Sequence, residues 1–154
     1  MKPLIVQPGG GRLLDLGNFE VTILAGGADT GGEFSLMQTR SEPEGFGPPL
    51  HIHHDAAEAF YVLEGDYLMI IEDRQELCPP GSFVYVPAGV PHTFQVRSGS
   101  SGRKLNLFTP AAMESFFEEL SAAEAAGTAD DAALGEIAAR AHMEVVGPVP
   151  ESYL

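Results

Sequence analysis

The fold and the chemistry of this chain are both decided by residues 45–65, which read GFGPPLHIHHDAAEAFYVLEG. Within this stretch His51 and His53 stand two positions apart in a strand-like segment, and Glu58 follows after a short turn. Residues two apart on a strand point to the same face, with Cα atoms about 7 Å apart, so both imidazoles can reach one ion. The spacing therefore predicts two histidine ligands and a nearby carboxylate around a single centre.

A second motif lies at residues 81–92, GSFVYVPAGVPH, and ends in His92. Together with His51, His53 and Glu58 it completes a set of three imidazoles and one carboxylate. Such a mixed nitrogen and oxygen set suits a reactive divalent transition metal better than a purely structural zinc. We predict one such ion as the cofactor. Ligand type does not choose among iron, manganese, nickel, cobalt, copper and zinc, so all of these stay open.

The composition indicates a single acidic globular domain. The chain has 154 residues, of which 44% are hydrophobic, and its formal net charge is −14. A domain of this size buries a sizeable core. Nucleic-acid phosphates require Lys and Arg, and anionic membrane surfaces attract basic segments. We therefore expect no nucleic-acid partner and no membrane partner.

The single cysteine, Cys78, excludes a disulfide within the chain. Nothing beside Cys78 in the sequence would lower its pKa, so we predict a small buried hydrophobe and not a catalytic thiol. No apolar stretch approaches the length of a membrane span, and the first residues lack the features of a signal peptide. These observations favour a cytoplasmic protein.

Short strand-like segments separated by Gly and Pro turns fill the first two thirds of the chain. The alternation of apolar and polar residues is clear where Phe19, Val21 and Ile23 share one face. The other predicted strands are residues 33–38, 59–63, 67–72, 82–86, 92–96 and 104–108. Regularly spaced short strands favour an all-β sandwich or barrel, which we place at residues 1–109.

The last third, residues 110–154, is predicted to be helical. Thr109 can cap a helix that starts at Pro110, and Gly127 can end it. The apolar face of this helix consists of Met113, Phe116, Phe117 and Leu120. A second helix is predicted to start at Asp130 or Asp131, to include His142 as a structural residue, and to bury Leu134, Ile137, Ala138, Ala141 and Val145. About 45 residues supply little core of their own, so we expect the helices to join the same domain, packed on the outside of the barrel or against a partner chain.

Both motifs resemble the two signature motifs of the cupin superfamily. The matching residues are Gly45, His51, His53, Glu58 and Gly65 in the first motif, and Gly81, Pro87, Gly89 and His92 in the second. One departure is Val96, where many members have an Asn that is not usually a ligand. Shorter segments, such as residues 60–65, make the chain most similar to single-domain, quercetin dioxygenase-like cupins. The resemblance implies an all-β cupin jelly-roll β-barrel, here with C-terminal helices, whose interior holds one metal on the three histidines and the glutamate.

A substrate pocket is expected beside this centre. If His92 and Glu58 point inward, strand alternation also turns Phe94, Phe60 and Val62 inward. The full set of predicted pocket residues is Phe46, Phe60, Val62, Tyr67, Met69, Phe83 and Phe94. An apolar pocket around a metal suits an aromatic or polyketide-like ligand better than a sugar phosphate.

The resemblance implies a metal-dependent dioxygenase that acts on a small aromatic or enol-containing compound. In the family the glutamate that matches Glu58 is both metal ligand and general base, so Glu58 is the predicted catalytic residue. Two alternatives stay open: a non-redox metal-dependent isomerase or cyclase, and a non-catalytic small-molecule-binding cupin. The resemblance also leads us to expect a homodimer. His54 alternates to the opposite face from His53 and is not expected to bind the metal.

Overall fold

The computed structural model describes residues 1–97 and 99–149. In this part of the chain the strands are β1 (Arg12–Asp15), β2 (Glu20–Ala25), β3 (Ser35–Glu42), β4 (His51–His53), β5 (Ala57–Glu64), β6 (Tyr67–Ile71), β7 (Arg74–Cys78), β8 (Phe83–Val86), β9 (His92–Val96), β10 (Gly102–Thr109) and β11 (Met143–Val145). The helices are the short α1 (Gly27–Thr30), then α2 (Glu114–Ala126) and α3 (Asp131–Arg140). The predicted all-β architecture with C-terminal helices is confirmed.

The strands form two antiparallel sheets that face each other. Within the described residues, one sheet has the strand order β1-β2-β3-β10-β5-β8 and the other the order β11-β4-β9-β6-β7. Buried contacts join the sheets across the interior, for example between His53 of β4 and Glu58 of β5. The space between the sheets is therefore where inward-facing side chains from both meet.

Rows of buried side chains cross the inner face of the larger sheet because its strands pair in register. One row consists of Val21, Thr39, Lys104 and Val62, the next of Ile23, Met37, Asn106 and Phe60, and a third of Ser35, Phe108, Glu58 and Val86. Most of these residues are apolar, as expected for a core. Lys104 and Asn106 are polar exceptions that share the inner face with Glu58.

The C-terminal helices bury their apolar faces within this chain. Phe116 of α2 and Ile137 and Ala138 of α3 belong to the same buried cluster as the strand residues Met37 and Phe108. Because Met37 and Phe108 face the interior, the helices pack over the inner side of the larger sheet and not over its outer face. None of the helices in the described residues is long and apolar enough to cross a membrane.

The second helix is shorter than its apolar spacing predicts. It ends at Arg140, and residues 143–145 form β11, which pairs antiparallel with β4 so that Met143 lies opposite His53. His142 is therefore not helical: it occupies a turn with φ of 56° and its Nδ1 pairs with Asp55. The prediction of helix through Val145 is wrong because β4 has an edge whose backbone groups need a partner, and residues 143–145 satisfy them.

Candidate metal centre and its cavity

Four candidate metal ligands lie together between the two sheets. His51 and His53 belong to β4, His92 begins β9 opposite His51, and Glu58 reaches across from β5. All four side chains are buried. One donor atom from each of them lies within 4.8 Å of the others. The structure thus brings together the four residues that the sequence motifs select.

A tight turn places the second motif beside the first. Gly89 in this turn has φ of 84°, a conformation that strains any residue with a side chain. Its N–H donates to the carbonyl oxygen of His53 at 2.8 Å. This hydrogen bond ties the turn before β9 to the end of β4, and so holds His92 close to His53.

Backbone carbonyls orient two of the imidazoles. Nδ1 of His51 donates to the carbonyl of Pro49 at 2.7 Å, and Nδ1 of His92 donates to that of Val90 at 2.9 Å. Such bonds fix the ring orientation of metal-binding histidines and decide which nitrogen is available. In both residues Nε2 is left as the nitrogen that can bind a metal.

Glu58 connects the remaining groups of the centre. Its Oε2 lies 2.9 Å from Nε2 of His53 and 2.9 Å from Nε2 of His92. Its Oε1 accepts a hydrogen bond of 3.0 Å from Nδ2 of Asn106, a buried residue of β10. Asn106 therefore holds the carboxylate so that Oε2 faces the histidines. Asn106 was not among the predicted site residues, although its inward parity on β10 is a signal in the sequence that could have identified it.

The pKa values of three residues in the centre are shifted in different directions. Burial, followed by the neighbouring charges of His92 and His53, lowers the pKa of His51 to about 4. Burial also lowers the pKa of His92, but the hydrogen bond and charge of Glu58 outweigh it, and the pKa is raised. Burial raises the pKa of Glu58, yet His53 and His92 together hold it well below its usual range. The centre thus contains an ionised carboxylate and, in His51, a neutral imidazole, the forms that bind metal.

This donor set fits a divalent transition metal. Nitrogen and oxygen ligands bind such ions at about 2.1 Å, so donors on opposite sides of one ion lie about 4.2 Å apart. The donors here span at most 4.8 Å, so only a small contraction is needed. Because both ring nitrogens of His92 donate hydrogen bonds, metal binding would release the Nε2 proton.

A cavity of about 310 Å³ opens beside the centre. This volume is within the range of small-molecule sites. Three predicted pocket residues, Phe46, Phe60 and Phe94, line the cavity. The C-terminal helices and the segment before α2 add further apolar side chains that the sequence analysis did not assign to the pocket: Met113, Phe116, Phe117, Leu120 and Leu134. The helices therefore form part of the cavity wall.

The other predicted pocket residues lie outside the cavity lining. Val62, Tyr67 and Met69 are buried in the core cluster that includes Phe94, and they do not reach the cavity surface. The prediction that Phe83 lines the pocket is wrong, because its side chain is 66% exposed on the outer face of β8. The reason is that Val84, not Phe83, pairs with the inward-facing Phe60.

His54 also lies outside the metal centre. Its exposed ring pairs with Glu144 of β11, with Nε2 at 2.7 Å from Oε2. His53, the last residue of β4, is buried at the centre, whereas His54 lies just beyond the strand. His54 therefore offers a matched control for substitutions of the buried histidines.

A second buried polar cluster faces the same cavity. Nζ of Lys104 lies 2.9 Å from Oε1 of Glu42 and 3.2 Å from Oγ1 of Thr39. The same Glu42 oxygen accepts the hydroxyl of Tyr67 at 2.6 Å, and burial followed by this carboxylate raises the pKa of the tyrosine. Thr39, Glu42 and Lys104 all line the cavity. Only Tyr67 of this cluster was a predicted site residue, because the cluster depends on pairing between distant strands.

The protein is a small β-barrel with a metal-type site. Its two antiparallel sheets face each other around a buried centre of histidines and a carboxylate. Residues 38–108 match the Cupin domain family. This match supports the predicted resemblance to the cupin superfamily. The predicted jelly-roll β-barrel is confirmed by the fold shared with solved cupin structures.

One curated relative and two solved structures illustrate these similarities. The chain is 30% identical over 96 residues to a protein of Bacillus subtilis (strain 168) named quercetin 2,3-dioxygenase. That match covers 62% of this chain but 28% of the relative's length. The structure of KdgF from Halomonas sp. has a TM-score of 0.62 at 15% identity, with 71% of this chain and 94% of that chain covered. The polyketide cyclase RemF from Streptomyces resistomycificus has a TM-score of 0.60 at 23% identity, with 70% and 80% covered. The two structures share the fold.

Proposed function

We propose that this protein is a metal-dependent dioxygenase that acts on a small aromatic or enol-containing compound. The observation that carries the proposal is a buried group of four metal-type donors, three of which line a largely apolar cavity. The rings of Phe46, Phe60 and Phe94 in the cavity wall suit a flat aromatic substrate. The relative named quercetin 2,3-dioxygenase supports the reaction class.

The ion would be held by His51, His53, Glu58 and His92. A divalent transition metal bound there supplies Lewis acidity toward a substrate oxygen, and open coordination positions. Oε2 of the ionised Glu58 faces the same point, which supports a role for it as acceptor of the proton of a substrate hydroxyl. The bond from Asn106 to Oε1 keeps this oxygen directed at the centre. The apolar wall limits the access of water.

A non-redox isomerase or cyclase is the second candidate function. The carboxylate of Glu58 and the ammonium of Lys104 line the same cavity, which suits proton transfer to and from a substrate without oxygen. RemF, named a polyketide cyclase, shares the fold. A reaction of this kind runs at the same rate whether or not oxygen is present.

Oxygen consumption tests the proposal. The protein is loaded separately with Fe(II), Mn(II), Co(II) and Ni(II) and mixed with quercetin or a related flavonol in an oxygen electrode. We expect at least one metal form to take up oxygen in proportion to the substrate lost, His54→Ala to keep this activity, and His51→Ala to abolish it.

Three outcomes separate the candidate functions. Substrate loss at an unchanged rate without oxygen would contradict the dioxygenase and favour the isomerase or cyclase. Binding without turnover under either condition would favour a non-catalytic small-molecule-binding cupin. Oxygen uptake that is equal in the wild type and in His51→Ala would show that the reaction does not occur at this centre.

A further inference from the structure

We propose that Lys104 and Asn106 form a polar subsite in the cavity that recognises the oxygen groups of a polyhydroxylated aromatic ligand. The inference rests on the proposed function, because it names the substrate class for the same cavity. Neither residue belongs to the group of four metal-type donors. Their place in the sheet puts them where a ligand held at that centre would extend.

The two residues stand in line with the metal centre on the inner face of the larger sheet. Lys104 and Asn106 are two positions apart on β10, so their Cα atoms are about 7 Å apart on one face. Asn106 touches the centre directly through Glu58, and Lys104 lies one row further away. Both residues line the cavity. A ligand that contacts the metal and Lys104 must therefore extend past Asn106.

Asn106 offers an unsatisfied acceptor to such a ligand. Its Nδ2 donates to Oε1 of Glu58, which fixes the orientation of the amide, since the reverse orientation would bring two oxygens together. Its Oδ1 is buried and has no hydrogen-bond partner among the described residues. Buried polar atoms are usually paired, and an unpaired one is costly. A ligand hydroxyl that donates to Oδ1 would satisfy it.

Lys104 offers a donor. An ammonium group has three N–H bonds, and Glu42 and Thr39 accept two hydrogen bonds from it, so one N–H has no oxygen acceptor among the described residues. The ring of Phe94, a residue of the cavity wall, lies 4.3 Å from Nζ. The ligand oxygen that accepts from Lys104 would therefore lie close to this aromatic wall residue.

The charge of the subsite determines whether a neutral or an anionic ligand oxygen binds there. Lys104 is the one Lys or Arg side chain among the described residues that line the cavity, and Glu42 already balances its charge. A strongly anionic group such as a phosphate would meet a neutral pair in an acidic protein, which disfavours it. A phenol or carbonyl oxygen requires only the free N–H. The subsite thus favours a polyphenol over a phosphorylated or carboxylated ligand.

Two flavonols that share the metal-binding enol test the subsite. 3-Hydroxyflavone carries this enol alone, whereas quercetin carries further hydroxyls on both aromatic parts. Binding of each is measured by absorbance without oxygen, on protein loaded with Zn(II), so that turnover does not contribute. The test variant is Glu42→Gln/Lys104→Met, which removes the ammonium without leaving a buried charge. The matched control is Glu64→Gln/Arg103→Met, the same change to an ion pair whose arginine adjoins Lys104 on β10.

We expect the wild type and the control to bind quercetin at least about tenfold more tightly than 3-hydroxyflavone, the size of a hydrogen bond from a charged donor. In the test variant this preference should fall severalfold, because only the acceptor of Asn106 remains, with zinc content and the affinity for 3-hydroxyflavone unchanged. The inference is overturned if the wild type shows no preference or binds neither flavonol, or if the test variant keeps the preference. If the test variant keeps the preference for quercetin and also takes up oxygen, the subsite is contradicted but the dioxygenase proposal is not. If the wild type prefers quercetin but never consumes oxygen, the dioxygenase proposal is contradicted but the subsite is not.

Discussion

Replacing Lys104 alone is expected to destabilise the protein much more than replacing Lys104 and Glu42 together. Both side chains are 1% exposed, and Nζ and Oε1 lie 2.9 Å apart. Lys104→Met fills much the same space but removes the positive charge. The carboxylate of Glu42 then stays buried with only the neutral donors of Tyr67 and Thr39. The destabilisation arises from this uncompensated charge and not from lost packing.

The magnitude follows from the burial of the pair. Removing one partner of a buried ion pair typically costs about 3–5 kcal/mol, whereas replacing both by neutral residues of similar volume is often close to neutral. We expect Lys104→Met to lower the free energy of unfolding by about 3–5 kcal/mol, and Glu42→Gln/Lys104→Met by less than about 2 kcal/mol. For a domain of this size, each kcal/mol lowers Tm by roughly 2–4 °C.

Urea unfolding followed by circular dichroism measures these free energies. Arg103→Met is the control, because the ion pair of Arg103 with Glu64 is more exposed and should contribute less than about 1 kcal/mol. The reasoning is refuted if Lys104→Met and Arg103→Met cost the same. It is equally refuted if the double variant is as unstable as Lys104→Met, because the buried charge would then not be the cause.

Three further predictions concern metal binding and assembly. Asn106→Leu removes the hydrogen bond that orients Glu58 and should weaken metal binding by about 10–100-fold in chelator competition, and an unchanged affinity would contradict this. Metal affinity should fall as pH drops from about 8 to 6, because the raised pKa of His92 lets protons compete for Nε2, whereas a flat profile would count against a His92 ligand. We also propose a homodimer that covers the exposed outer side chains Phe83 and Tyr85 of β8. Light scattering should then give a dimer for the wild type and a monomer for Phe83→Glu, and a monomeric wild type would refute the proposal.

Features set by local periodicity could be predicted from the sequence. The strand at residues 92–96 is β9, and the expected inward direction of Phe94 and Phe60 is correct, since alternation on a strand leaves no other choice once His92 and Glu58 face inward. The grouping of His51 with His53 follows from the same period of two. This rule grouped His51 with His53, whereas Glu58 and His92 were added to the site from the two sequence motifs.

Strands without an apolar face escaped the sequence analysis. All residues of β7 except Cys78 are exposed, so the segment has no hydrophobic alternation to detect. β11 has only three residues and lies directly after a helix whose apolar spacing continues into it. Both are edge strands, and they form because a neighbouring strand offers unpaired backbone groups. The need to pair these backbone groups exists only in the assembled sheet, so local sequence does not reveal it.

The residues that line the cavity were still harder to predict, because their positions depend on pairing between strands distant in the sequence. Thr39 and Lys104 lie opposite each other because β3 pairs with β10, strands far apart in the sequence. The same pairing brings Glu42 within reach of the ammonium group. The contribution of Phe116 and Phe117 to the wall required the docking position of α2, which an amphipathic pattern does not define. Tertiary arrangement, not residue type, therefore decided what surrounds the metal centre.

We propose that His51, His53, Glu58 and His92 together bind one metal ion, and metal analysis of purified protein is the experiment that tests this claim. Wild type, His51→Ala, His92→Ala and the exposed-residue control His54→Ala are loaded with the same divalent ion, passed over a desalting column and measured by elemental analysis. We predict one ion per chain in the wild type and in His54→Ala, and loss of the ion in the other two variants. A wild type that retains no metal under any loading condition, or a His51→Ala variant that retains it fully, would contradict the claim.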